Sequence, residues 1–281
     1  MRINHNISSM ITTGALTKST QAFTKSLEKL STGLRINRAS DDAAGLSVSE
    51  GLRTQIGGMT VAKRNASDGI ALMQIAEGAA GEISNLLQRM RELAVQSSND
   101  TLTTTERTYT NQEFAALLSE VDRVTNSTQY NGQTLIAGGA SSFGGASSVS
   151  SVLHIGPNGT AINKITLSIN ATSSGALAMN NTSVSTQSAA QNAITSIDSA
   201  ITSVNAMRGN LGAIINRLES AINNLDNQIQ NSQSAESLIR DVDFAQESTT
   251  FTKNQIMMQS GTAMLAQANN APQTILGLIG R

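Results

Sequence analysis

The residues able to do chemistry are few, and their spacing does not assemble a reaction. The two histidines, His5 and His154, lie far apart in the chain, and neither has a His, Cys or acidic neighbour at metal-ligand spacing. Both read as ordinary polar side chains. The sequence holds no HExxH zinc helix, no GxGxxG turn after a strand and no phosphate-binding loop. The adjacent carboxylates of "RASDDAAG", Asp41 and Asp42, could pair as acid and base or hold a cation. Their position favours another role: with Ser40 they stand where a helical pattern begins, and carboxylates there complement the positive end of the helix dipole. The basic residues Lys18, Lys25, Lys29, Arg35 and Arg38 lack the interleaved aromatics of a nucleic-acid site. In "LQRMRELAVQSSND" (87–100), Arg89, Arg91 and Glu92 read as local ion pairs on a solvated face. No cofactor, metal or catalytic group is expected.

Composition narrows the classes further. The 281 residues carry a formal net charge of −1, so no bulk attraction to nucleic acid or anionic lipid is expected. Only 14% of residues are charged, against roughly 25% in an average soluble protein. Such a surface is easily desolvated by neighbours. Aromatic residues make up 2%, Trp and Cys are absent, and no apolar run approaches the ~18 residues of a membrane span. The opening "MRINHNISSM" has no apolar core of a secretory signal, so export by a cleaved signal is not expected.

The long elements are helical. Ile194, Ile197, Ile201, Val204, Leu211, Ile215, Leu218, Ile222, Leu225 and Ile229 form a ladder at spacings of three and four, with Arg208 out of character. Ile194 to Ile229 predicts a rod of roughly 50 Å. Leu72, Ala76, Ala79, Ile83, Leu86, Met90 and Leu93 repeat the pattern in the first half. The tract "SNDTLTTTER" then breaks the helix, and Thr103 with Glu106 has capping-box spacing, so a further helix begins there. Phe114, Leu117, Val121 and Val124 continue the pattern. The expected arrangement sets the ladder at 194–229 against rods at 44–98 and 104–128. The fold class is therefore mainly α: an elongated antiparallel helical bundle or coiled coil. In the middle, "AGGASSFGGASSVSS" (137–151) reads as a flexible loop. Alternation at Leu153 and Ile155, and at Ile165, Leu167 and Ile169, around "GPNG" predicts a small β-hairpin region. Residues 173–185 read as a polar loop. The two ends, 3–34 and 242–279, are amphipathic and have no evident partner but each other. Together they carry too much apolar surface for a monomer, which implies association.

Four tracts carry a resemblance. "EKLSTGLRINRASDDAAGLSVSEGLRTQI", "LQRMRELAVQSSND", "EVDRVTNSTQYNGQTL" and "GTAMLAQANNAPQTILGLIGR" resemble bacterial flagellins, in the family's order, over roughly 1–136 and 190–281. The resemblance implies a structural, non-enzymatic subunit that polymerises into the helical flagellar filament for motility. Residues 1–42 and 236–281 would pair as an inner-tube coiled coil. Residues 43–235 would form the outer-tube helices, with the hairpin region at about 130–185 and no large outer domain. Inter-subunit packing falls to Leu27, Leu30, Leu34, Ile256, Met264, Leu265, Ile275 and Leu278. The bundle core is assigned to Leu86, Met90, Ile197, Ile201, Leu211, Ile215, Leu218, Ile222 and Leu225. Implied partners are further copies of the chain, an export chaperone, the filament cap and hook–filament junction proteins, with passage through the flagellar type III apparatus. Arg89, Leu93, Gln96 and Glu113 match the positions that pack along the filament and that a vertebrate innate receptor (Toll-like receptor 5) recognises; Met90 departs from the usual β-branched residue there. The implied location is the extracellular filament, with a periplasmic flagellum as the alternative. A junction protein and a monomeric coiled-coil effector are the competing readings.

Overall fold

The computed structural model describes residues 6–138 and 148–279, with the side chains of 148–150 and 271–279 outside that description. Most of the 137–151 loop and the side chains of Ile275 and Leu278 therefore lie outside the described residues. In chain order the elements are α1 (Ile7–Thr32), α2 (Ala43–Ser97), α3 (Thr104–Ser127), β1 (Gln129–Tyr130), β2 (Gln133–Thr134), β3 (Ser148–His154), a 3-10 turn (Ala161–Asn163), β4 (Lys164–Asn170), α4 (Gln187–Arg240) and α5 (Phe244–Ile279). The chain forms two compact units, one from residues up to 55 with those from 231 on, the other Ile56–Gln230. Each includes part of α2 and part of α4.

The Ile56–Gln230 unit buries a large apolar cluster and, at Met59, Ala62 and Leu225, a smaller separate one along the same two helices. On α2, Met59, Ala62, Ala66, Met73, Ala76, Ala80, Ile83, Leu87, Met90, Ala94 and Ser97 are 2% exposed or less. With Gly69 they form an uninterrupted three–four repeat. On α4 the buried positions are Ala190, Ala193, Ile197, Ala200, Val204, Met207, Leu211, Ile214, Leu218 and Leu225. α2 and α4 run antiparallel, tied at two levels by Arg91 to Asp198 and Lys63 to Asp226, each at 2.7 Å.

The register differs from the expected ladder in one column. Ile197, Val204, Leu211, Leu218 and Leu225 are central, as is Met90. Leu86, Ile201, Ile215 and Ile222 are only half-buried and pack at the edge. The positions one residue away, Leu87, Ala200 and Ile214, take the centre. The same shift explains Arg208: Met207 fills the seam and Arg208 is exposed. The cause is the width of the buried face. The cluster draws on α2, α3, α4 and the segments between them, so each helix buries a face broader than a two-stranded stripe. Alanines such as Ala200 then lie fully inside the buried face, and a ladder drawn through the largest aliphatics misses them.

α3 opens with the expected capping box, Thr103 accepting from the Glu106 amide while the Glu106 carboxylate accepts from Thr103 N–H. Arg107 reaches back to the carbonyls of Ser97 (3.0 Å) and Asn99 (2.8 Å), closing the end of α2 with a cation. After α3, β1 and β2 pair across Asn131-Gly132, whose φ values are 49° and 77°. That is the two-residue hairpin turn that Asn-Gly favours; hydrophobic periodicity overlooked it. β3 and β4 pair antiparallel, with Leu153 opposite Ile165 and Val149 opposite Ile169, and Ile165, Leu167 and Ile169 face inward as the alternation required. A Cβ on Gly69 would meet Leu153 Cδ2 at 2.5 Å, so the Leu153 side chain of the hairpin packs directly over this glycine and would have to shift for a larger residue. Residues 173–185 form a loop, as expected, but one packed into the unit. The segment lacks regular structure, yet Ser174, Leu177, Met179 and Val184 are buried. Asp122 accepts from Ser174 N–H (2.8 Å) and Oγ (2.7 Å), and Asn111 accepts from Val184 N–H at 2.9 Å. α3 thus supplies the hydrogen bonds that a buried loop must have.

The seam register is testable by neighbouring substitutions. Leu87→Ala is expected to lose about 2–5 kcal/mol of unfolding free energy and Leu86→Ala clearly less. Met207→Asp should unfold the unit, whereas Arg208→Asp should stay within about 0.5 kcal/mol of the wild type. Urea denaturation followed by circular dichroism measures all four; equal losses within either pair would refute the register.

Candidate functional site

The unit built from the two chain ends holds the surface that the sequence left without a partner. α1 and α5 pair antiparallel, and their backbones approach more closely than those of any other helix pair among the described residues. The contacts run in order along both helices. The Asn6 side chain donates to the Ala268 carbonyl (2.9 Å), a Cβ on Gly261 would come 3.1 Å from Leu16 Cδ1, and Phe23 and Phe251 stack at a 4.8 Å centroid distance. Lys29 pairs with Glu247 at 3.7 Å near the other end. Asn6 caps α1 through the Ser9 amide, and Gly33 ends it in the left-handed conformation with φ 74°, its N–H on the Lys29 carbonyl.

Beyond Gly33 the backbone is held by the segment leading into α5. Leu34 bridges Asp241, Arg35 N–H donates to the Arg240 carbonyl (2.7 Å), and Val242 N–H donates to the Gly33 carbonyl (3.0 Å). The Arg35 guanidinium adds two bonds to the Ile239 carbonyl, and Arg240 reaches Glu50 at 2.8 Å. Ile36 fills the space beneath at 1% exposure. The two carboxylates of "RASDDAAG" divide the work here. Asp42 caps α2 by accepting from Gly45 N–H at 2.9 Å. Asp41 instead ties down the connector between α1 and α2 (33–42): it binds Lys25 at 2.7 Å and accepts from the backbone N–H groups of Asn37 and Arg38. The Lys25 hydrogen bond, followed by that from Arg38, holds the Asp41 carboxyl down from 3.8 to about 2.

Among the side chains this unit leaves outward are large apolar ones on both helices. Ile7, Met10, Ile11, Leu27, Phe244, Ile256, Met257 and Met264 are exposed, and Leu30, Leu34 and Leu265 are half-buried. The hydroxyls of Thr12, Thr13, Thr17, Thr20 and Thr24 all donate back to carbonyls four residues earlier on α1. Their protons are already satisfied, so the α1 surface loses little when water is removed. Among the described residues no His, Cys, Asp and Glu cluster could hold a metal, and no helix is long and apolar enough to cross a membrane. The exposed apolar side chains of α1 and α5 can be covered by another apolar surface.

A second surface lies on the Ile56–Gln230 unit. Arg89 bridges Glu113 (2.8 Å) and Glu92 (3.0 Å), each pair about half exposed. Gln96 is exposed on the following turn. Leu93 does not join them outside: at 2% exposure it is a core residue. His154 is half-buried on β3, and its carbonyl accepts from the Asn65 side chain. The roles of Lys25, Arg107 and Asp122 were not anticipated, because each joins groups far apart in the chain or acts through backbone atoms that no spacing reveals.

Comparison with known proteins gives the same result at both ends. Residues 3–141 match the model of the bacterial flagellin N-terminal helical region, and 194–279 match that of the bacterial flagellin C-terminal helical region. The chain is similar to the flagellin of Halalkalibacterium halodurans (44% identity over 99% of this chain and 100% of the relative). It is similar to flagellin FlaB2 of Treponema pallidum at 41% identity over the same shares, and to the flagellin of Bacillus subtilis at 40%. Its fold is shared with a Vibrio parahaemolyticus protein described as a candidate flagellar hook-associated protein, at TM-score 0.58 and 14% identity over 71% of this chain and 99% of that one.

Asp41 sets an acid sensitivity of the connector. A carboxyl held below its usual value contributes stability that is complete above about pH 4 and disappears as pH falls from about 4 to about 2. Asp41→Asn should therefore melt below the wild type at neutral pH, and the gap should close across that window. Thermal melts from pH 7 to 2 check this; a gap independent of pH would refute it.

Proposed function

The chain belongs to the bacterial flagellin family, and on that premise we propose how it works: it is a structural subunit that polymerises into the helical flagellar filament for motility. The observation that carries the reading is the antiparallel pairing of α1 and α5 with apolar side chains left outward on both helices. That surface is covered when the same helices of neighbouring copies pack against it. Residues 1–42 and 236–281 serve as the inner-tube segment, residues 43–235 as the outer-tube segment, and the β3–β4 region takes the place where larger relatives carry an outer domain. Leu27, Leu30, Leu34, Ile256, Met264, Leu265, Ile275 and Leu278 are the contacts between copies. The role is mechanical, with no catalysis and no cofactor, and the place of work is the filament.

Further partners follow from this role. The chain passes unfolded through the flagellar type III apparatus with an export chaperone, and meets hook–filament junction proteins and the filament cap at the two ends of the polymer. The Arg89–Glu113 surface packs along the filament. In the free subunit, Arg89, Gln96 and Glu113 form the polar patch that a vertebrate flagellin receptor would contact, with Leu93 supporting it from the core.

Ile256→Asp tests the assembly reading without disturbing a buried site. The variant should keep its helical circular-dichroism signal and give no sedimenting fibres, because a charge enclosed without a partner opposes association by several kcal/mol. Slender fibres in negative stain from this variant would refute the role given to α5. For the polar patch, Arg89→Ala is expected to lower signalling by purified monomer in receptor-expressing cells; an unchanged dose response would end that role.

A further inference from the structure

The methionines of this chain are sorted by location. Ten are present, and with no Cys and no Trp they are its main soft, oxidisable side chains. All five in the Ile56–Gln230 unit are 2% exposed or less among the described side chains. The exposed ones all belong to the terminal helices: Met10 on α1 at 68%, and Met257 and Met264 on α5 at 53% and 62%. Met258 beside them is half-buried, and Met1 lies outside the described residues. Met257 and Met264 are seven residues apart, two turns on one face of α5, next to exposed Ile256.

We propose that Met10, Met257 and Met264 form an oxidation-sensitive site in the unassembled chain, at which peroxide blocks assembly. The inference rests on the subunit reading above. In the free chain the three thioethers are open to solvent. A sulfur lone pair attacks the terminal oxygen of hydrogen peroxide; the S–O bond forms, the O–O bond breaks, and water leaves after proton transfer. Sulfur is oxidised by two electrons to the sulfoxide, and the peroxide oxygen is reduced. The sulfoxide oxygen is a strong acceptor on a surface where the Thr hydroxyls of α1, and those of Thr249, Thr250 and Thr252 on α5, already donate to carbonyls of their own helix. Covering it in an apolar seam leaves it unpaired. In the assembled polymer the same side chains are enclosed, so oxidation acts before assembly and is undone by methionine sulfoxide reduction.

The test treats monomer with hydrogen peroxide, maps sulfoxides by peptide mass spectrometry and measures the polymer formed by sedimentation. Sulfoxide is expected at Met10, Met257 and Met264 before the five core methionines. The concentration needed for polymerisation should rise by about tenfold or more. Reduction by the two stereospecific sulfoxide reductases should restore it. The triple variant Met10→Leu, Met257→Leu, Met264→Leu should polymerise equally with and without peroxide. If that variant fails to assemble untreated, reductase rescue of the wild type decides. Normal assembly of chains carrying sulfoxide at all three positions would overturn the inference, as would an equal loss in the triple variant. Failure of untreated wild type to polymerise would instead overturn the subunit reading.

Discussion

The pairing of α1 with α5 is the contact on which the rest depends. Those helices have no core of their own beneath them. What they share is one close antiparallel contact, made possible by small side chains such as Gly261 opposite Leu16 and fixed by Phe23 on Phe251. A helix pair can bury only the faces turned to each other, so the remaining apolar faces stay outward. The Ile56–Gln230 unit is built differently. It encloses its own apolar cluster with three helices, a hairpin and a packed loop. One chain therefore contains a unit with its own enclosed core and one that keeps large apolar side chains outward.

Legibility followed the physics of each feature. Helix type was readable because three–four spacing persists over many turns in α2 and α4, although α4 runs past both ends of the 194–229 ladder, and the capping box at Thr103 and Glu106 is a local signal. The inward side of β4 was readable because Ile165, Leu167 and Ile169 alternate. The seam register was readable in only one of two columns. Ile197, Leu211 and Leu218 lie at the centre whichever neighbour is considered, but Ala200 and Ile214 displace Ile201 and Ile215 because a third helix widens the buried face. Alanine gives no hydropathy signal strong enough to mark that choice. The packed segment at 173–185 was unreadable for a related reason: its burial depends on Asp122 and Asn111, residues of a helix some fifty to seventy positions away.

The electrostatics are sparse and local. With few charges available, several join segments. Lys25 and Asp41 tie α1 to the connector, Arg240 and Glu50 tie the end of α4 to the start of α2, and Arg91 with Asp198 fixes the level of the bundle. Most are too exposed to add much stability, yet they fix which levels face each other, and a ladder of repeating aliphatic residues does not fix this by itself. The Asp41-Asp42 pair shows why spacing alone misleads. Two adjacent carboxylates suggest a shared site, while in the fold one caps a helix and the other binds a different element.

The bond from Asn6 to the Ala268 carbonyl spans 262 positions of sequence, and this orders how the chain can fold. Closing so long a loop carries a large entropy loss before any contact rewards it. The α2–α3 turn and the two β-hairpins need only short loops and can form early. The α1–α5 contact cannot begin until both ends are free in the same space. A chain delivered end-first through a narrow passage would thus complete its middle while its ends remain unpaired, and those ends would then be available to a growing polymer at the moment of arrival.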